Sequence, residues 1–119
     1  MNDQSPLRRQ LLQDAIALRI PPASASSRLK VFSWDVDEEL VTLTLGDVRG
    51  VVERYLAGDL SDDGIGDWAE FIESRDDIGY EPRHRDLLAD LIFELATPEI
   101  FGPMPDVARG VVSRLRAES

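Results

Sequence analysis

The chain has no cysteine in 119 residues, which removes disulfide scaffolds, thiolate nucleophiles and zinc–thiolate sites together. It has a single histidine, His84, so a histidine-based metal site or catalytic dyad would have to be built on that one ring with distant carboxylates. Long apolar runs are also missing. Residues 1–20 carry Arg8, Arg9, Asp14 and Arg19 through their apolar positions, and neither a membrane span nor a signal-peptide pattern is present. There is no glycine-rich phosphate loop, no internal repeat and no low-complexity tract, so no cofactor is expected. These features, with 43% hydrophobic and 30% charged residues, place the chain in the ordinary soluble globular class, and a cytoplasmic location is expected. Its length suits one domain with one modest core.

What the chain has in quantity is negative charge, and it is unevenly placed. The formal net charge is −10. Residues 1–30 carry a net +3, residues 31–81 a net −12 and residues 82–119 a net −1. A field of this sign repels nucleic acid and speeds encounter with a positively charged protein surface. The bland alternative is that the acidity only keeps the protein soluble.

The spacing of apolar residues predicts a mainly α-helical single domain, a bundle of about five helices. Residues 1–28 form an N-terminal helix and connector, and residues 45–117 form the helical core. Ser5-Pro6 opens the first helix, with Leu7, Leu11, Ala15 and Leu18 as its stripe, and Pro21-Pro22 ends it. That stripe can complete the core or pair with another subunit, and completion of the core is the expectation. Residues 29–44, rich in β-branched and aromatic side chains around DVDEE, read equally as a short β-hairpin or as an extended segment that lays Val31, Phe32 and Trp34 on the core. Thr44 and Asp47 have the spacing of a capping box before a helix bearing Leu45, Val48, Val52, Tyr55 and Leu56, and Gly58 stands where a left-handed C-terminal residue is needed. Ser61 or Asp62 caps a further helix whose Ile65, Trp68, Ala69 and Ile72 face inward. Pro82 opens the widest apolar helix, Leu87 to Leu95, which should be central. Thr97-Pro98 stops it, FGPMPD turns the chain, and Val107 to Leu115 make the last helix.

The stretch Asp59–Glu81 holds nine acids and one arginine. Asp63, Asp67 and Glu70 recur at i, i+4 and i+7, opposite the inward face, and with Asp62, Asp76 and Asp77 they form the expected partner-binding surface. The same stretch, DLSDDGIGDWAE, matches an EF-hand loop at Asp59, Ser61, Asp63, Asp67 and Glu70, with Gly64 at the turn. It departs from that pattern at Gly66 and Gly58, where apolar residues are needed, and no second loop of the kind exists. Helix capping explains the same acids, and the two readings exclude each other because residues 65–70 are helical in one and largely loop in the other. A calcium-binding module is therefore the alternative, not the leading reading.

Other candidates yield to simpler accounts. His84 shares a side with Leu87 and Leu91 and reads as a half-buried core-edge histidine. His84-Arg85-Asp86 copies a kinase catalytic-loop tripeptide in a chain far too short for that fold. Acid pairs such as Asp62/Asp63 lie in turn-rich, exposed settings unsuited to the raised pKa of a general acid. No enzyme is expected. Trp34 and Trp68 read as core aromatics, since no basic stripe surrounds them.

WAEFIESRDDIGYE (Trp68 to Glu81), followed by DLIFELATPEI (Asp90 to Ile100), resembles a group of small, largely uncharacterised bacterial helical proteins. In that group a Trp-Ala pair, an Ile-Glu pair, an Arg-Asp-Asp-Ile loop and a Leu-Ala-x-Pro-Glu turn recur in this order. The resemblance spans roughly Leu45 to Leu115 and implies a helical fold without implying a function. In size, acidity and helical layout the chain also resembles bacterial toxin-immunity proteins, including the colicin D immunity type. That resemblance implies a protein that plugs a basic nuclease site by presenting carboxylates where phosphates would bind. The leading expectation is thus a non-enzymatic acidic interaction protein whose partner is a basic protein such as a toxin, with neither nucleic acid nor membrane as partner.

Overall fold

The computed structural model describes residues 5–30 and 39–118. Its elements are α1 (Ser5–Ile16), α2 (Pro22–Leu29), β1 (Val41–Leu43), α3 (Leu45–Leu56), α4 (Asp62–Glu73), β2 (Ile78–Tyr80), a 3-10 turn (Pro82–His84), α5 (Arg85–Ala96), α6 (Pro98–Phe101) and α7 (Met104–Glu118). The mainly α-helical expectation holds, with seven α-helices among the described residues where about five were expected. Both additions begin at a proline. Pro22 and Pro98 occupy the first turn of α2 and α6, where the missing N–H costs nothing. Each sits in a Pro-X or X-Pro pair that the sequence alone reads as a stop.

Helix ends follow local chemistry closely. Asp47 N donates to Thr44 Oγ1 at 3.2 Å and Thr44 N donates to Asp47 Oδ2 at 2.9 Å, closing the capping box at the start of α3. At its other end Gly58 has φ 91°. Gly58 N donates to Tyr55 O at 3.0 Å and Asp59 N to Arg54 O at 2.9 Å, the paired bonds of a Schellman motif. Ser61 caps α4, its Oγ accepting from Gly64 N at 2.9 Å.

The core runs through all the long helices. Val48, Val51, Val52 and Tyr55 of α3, Ile65, Trp68, Ala69, Phe71 and Ile72 of α4, Leu88, Leu91, Ile92 and Leu95 of α5, and Val107, Ala108, Val111 and Leu115 of α7 are buried together. As expected, α5 is central: it packs against α4, α7, α6 and β2. The first helix completes the core with Leu11, Leu12, Ala15 and Ile16. Its end is tied down from two sides. Trp68 Nε1 donates to Ile16 O at 3.0 Å, and Arg54 Nη1 donates to Ala17 O at 3.1 Å, so carbonyls left over at a helix C-terminus are satisfied by other elements.

No hairpin forms from the described part of residues 29–44. Leu29 ends α2, and β1 pairs in parallel with β2, Val41 against Ile78, Thr42 against Gly79 and Leu43 against Tyr80. The segment 31–38, with Val31, Phe32 and Trp34, lies outside the described residues. Among the described residues no helix is long and apolar enough to cross a membrane.

Candidate functional site

The six carboxylates expected on one surface separate into three places. Asp62, Asp63, Asp67 and Glu70 line a single groove of about 470 Å³. Helical spacing places them there: α4 begins at Asp62, its apolar residues turn to the core, and positions 62, 63, 66, 67 and 70 share the remaining face. The opposite wall comes from the end of α5, from α6 and from the start of α7, through Ala96, Pro98, Glu99, Gly102, Pro103 and Met104. Glu99 is thus a fifth groove carboxylate.

Asp76 is exposed but does not line the groove. It follows the C-terminus of α4, whereas Asp62 begins that helix, and the helix between them is about 18 Å long. Asp77 corrects the expectation of an outward acidic row. Its side chain is only 2% exposed and lies between two guanidinium groups. Arg8 Nε and Nη2 donate to Asp77 Oδ2 at 3.1 and 2.9 Å, while Arg75 Nε donates to Oδ1 at 2.9 Å and Arg75 Nη2 to Oδ2 at 2.7 Å. Burial by itself would raise the Asp77 pKa, but the hydrogen bonds and charges of Arg75 and Arg8 outweigh it and hold the carboxyl below its ordinary value. Its backbone carbonyl accepts from Leu40 N at 2.8 Å and Val41 N at 3.3 Å. Asp77 is therefore a structural fastening of α1 and β1 to the loop before β2.

The groove carries little internal compensation. No basic side chain lines it among the described residues. Of the arginines of α7, Arg109 pairs with Asp106 at 2.5 Å and its charge also reaches Tyr55, and Arg114 pairs with Glu94 and lies 3.7 Å from Asp90. One groove carboxylate has a neutral partner, since Tyr55 Oη donates to Asp62 Oδ1 at 2.5 Å. Burial first, and then this bond, push Tyr55 up to about 12.

For the EF-hand alternative, the arrangement found is the capped helix. Ser61 spends its hydroxyl on Gly64 N, and Asp63, Asp67 and Glu70 are helical residues. Among the described residues no group of three or more His, Asp or Glu side chains is placed to hold a metal ion. His84 is half-buried as expected, with Nδ1 3.8 Å from Glu118 Oε2, and it is remote from the groove lining.

The groove is thus a concave surface of fixed negative charge, built on a well-packed helix and closed by a four-residue one. Comparison of the chain with protein-family models, with curated proteins and with solved structures gives no match in any of the three.

Proposed function

We propose that this chain is a non-enzymatic interaction protein of the immunity or inhibitor kind, which takes a basic surface of another protein into the groove between α4 and α6. One observation carries the reading: five carboxylates, Asp62, Asp63, Asp67, Glu70 and Glu99, line one groove without a basic side chain among its described lining residues. Like charges held on a shared concave wall raise the local potential and are relieved by a cationic partner. Arginine suits such a wall because its planar fork can bond two carboxylate oxygens at once. On this reading the carboxylates act as fixed charges, no chemical step is performed and no cofactor is needed. A basic nuclease-like toxin, whose active site is shaped for phosphates, has the matching chemistry.

The test is association of the tagged chain with a basic protein isolated from its cognate lysate, timed at low and physiological salt. The expected association rate falls steeply with salt, and the triple variant Asp63→Lys, Asp67→Lys, Glu70→Lys loses the interaction while keeping its helical spectrum. A partner whose association rate ignores salt, or that binds the triple variant equally well, overturns the reading.

A further inference from the structure

Three large exposed apolar side chains, Phe93, Ile100 and Phe101, lie on the same two helices, α5 and α6, that supply Ala96, Pro98 and Glu99 to the groove. Phe93 of α5 and Phe101 of α6 meet edge to face, with ring centroids 5.7 Å apart and planes at 89°. Their contact does not bury them: Phe93 is 42% exposed, Phe101 47% and neighbouring Ile100 65%. Scattered single exposed apolar residues are unremarkable, whereas large ones grouped together mark a surface that is covered in use. The chain joins this group directly to the acidic wall. Within α6 and its end, Pro98, Glu99 and Gly102 line the groove, while the intervening Ile100 and Phe101 stand exposed beside it.

We infer that Phe93, Ile100 and Phe101 form an anchor site continuous with the acidic groove. Its occupant is a basic, amphipathic segment of the partner protein: one large apolar side chain seats on the Phe93–Phe101 edge, and flanking arginines or lysines enter among the carboxylates. The inference rests on the groove reading above and adds to it what the partner must carry. Charge complementarity selects this occupant. A second copy joined two-fold through the same edge would bring two uncompensated acidic grooves close to each other, and an anionic lipid surface would be repelled by the same carboxylates. The two halves of the site also divide the work in the usual way. Exposed charges set encounter rate and salt dependence, while a desolvated aromatic anchor sets residence.

The test uses the full chain and two fluorescein-labelled arginine-rich peptides of equal charge, one with a central tryptophan and one with serine in its place. Binding is read by fluorescence anisotropy at low and physiological salt. The tryptophan probe should bind roughly tenfold more tightly than the serine probe. The variant Phe93→Ala, Phe101→Ala should erase that difference and leave the serine probe's affinity and salt dependence as they were. Ile100→Ser, at the most exposed of the three positions, should reduce the difference in part, and it serves as the test if the double variant is misfolded by circular dichroism. Equal affinity of the two probes for the unaltered chain, or a difference that survives in the variants, overturns the anchor while leaving the groove reading intact. Failure of both probes to bind at low salt overturns both. A dimer in sedimentation that Phe101→Ala dissociates would assign the edge to a second copy and overturn the inference.

Discussion

Replacing Asp77 by asparagine should be among the most destabilising single changes available in this chain. The substitution keeps shape and removes one negative charge from between Arg8 and Arg75, whose side chains are 11% and 23% exposed. The two guanidinium groups then face each other across a neutral amide that can accept at only one atom, where the carboxylate accepted four N–H bonds at two. Breaking a buried pair in this way typically costs about 3–5 kcal/mol, because the remaining charge is left in a site it cannot be hydrated in. Here the partial exposure of Arg75 and its position 5.8 Å from the Phe71 ring centroid favour the lower end, about 3 kcal/mol. For a domain of this size that corresponds to a fall in melting temperature of about 10–15 °C. Urea unfolding followed by circular dichroism measures it, and a loss below about 1 kcal/mol would refute the buried-cluster account in favour of a solvated pair. The pH dependence gives an independent check. Because the folded-state pKa of Asp77 is lowered from its ordinary value of 3.8, its contribution is fully present above that value and is lost as pH falls below it through the folded pKa. Stability of the unaltered chain should therefore fall more steeply with acidification below that value than stability of Asp77→Asn. Replacing Arg8, Arg75 and Asp77 together by Met, Leu and Leu should cost much less than the single change.

Two further changes probe the groove wall. Gly66→Ala adds a methyl within ordinary contact of Met104 Cε (3.8 Å) and Leu95 O (3.9 Å) and removes a glycine from a helix interior, so thermal unfolding should show a gain of up to about 1 kcal/mol. The same methyl intrudes on the groove lining, so affinity for an arginine-rich probe should fall while stability rises, and parallel changes would be inconsistent with Gly66 lining the site. Tyr55→Phe deletes the bond to Asp62 and should cost about 1 kcal/mol, since the exposed carboxylate regains water. With its folded pKa raised from 10.0 to about 12, Tyr55 contributes stability that is present below pH 10 and lost as pH rises toward 12. Tyr55→Phe should flatten the alkaline limb of the stability curve measured by denaturant unfolding.

Local chemistry was legible where a few neighbouring residues settle it. The Thr44–Asp47 box, the Gly58 turn and the Ser61 cap all appear at the expected positions, because each is closed by bonds within five residues. Helical period identified the inward faces of α4, α5 and α7 for the same reason. It misassigned the ends of faces: Leu7 and Leu56, placed on apolar stripes, are 60% and 42% exposed. Leu7 is in the first turn of α1 and Leu56 is the last residue of α3, and periodicity carries no information about which turns of a helix a neighbour covers. The missed helices α2 and α6 are short and begin at prolines, where the same residue that ends one helix can start another.

The site shows the same division more sharply. A row at i, i+4 and i+7 suffices to bring Asp63, Asp67 and Glu70 to one side of a helix, and they are found together. Arg75 stands two residues from Asp77, but local pattern could not place the carboxylate inside, since burial also needs Arg8, 69 positions away, and a strand pairing that joins residues 41 and 78. Nothing local could bring Glu99 into the same groove as Asp63 either, because that depends on how α6 packs against α5 and α7. A concave site differs from a charged helix face by its second wall, and here the second wall is the short helix α6. That helix contributes one carboxylate to the groove and carries two of the three exposed apolar side chains inferred to form the anchor. The acidic row alone would make a surface open to any cation. On the proposed reading, α6 restricts entry to a partner shaped to the groove, so the strongest discrimination should reside in residues 98–102 and not in the more heavily charged α4.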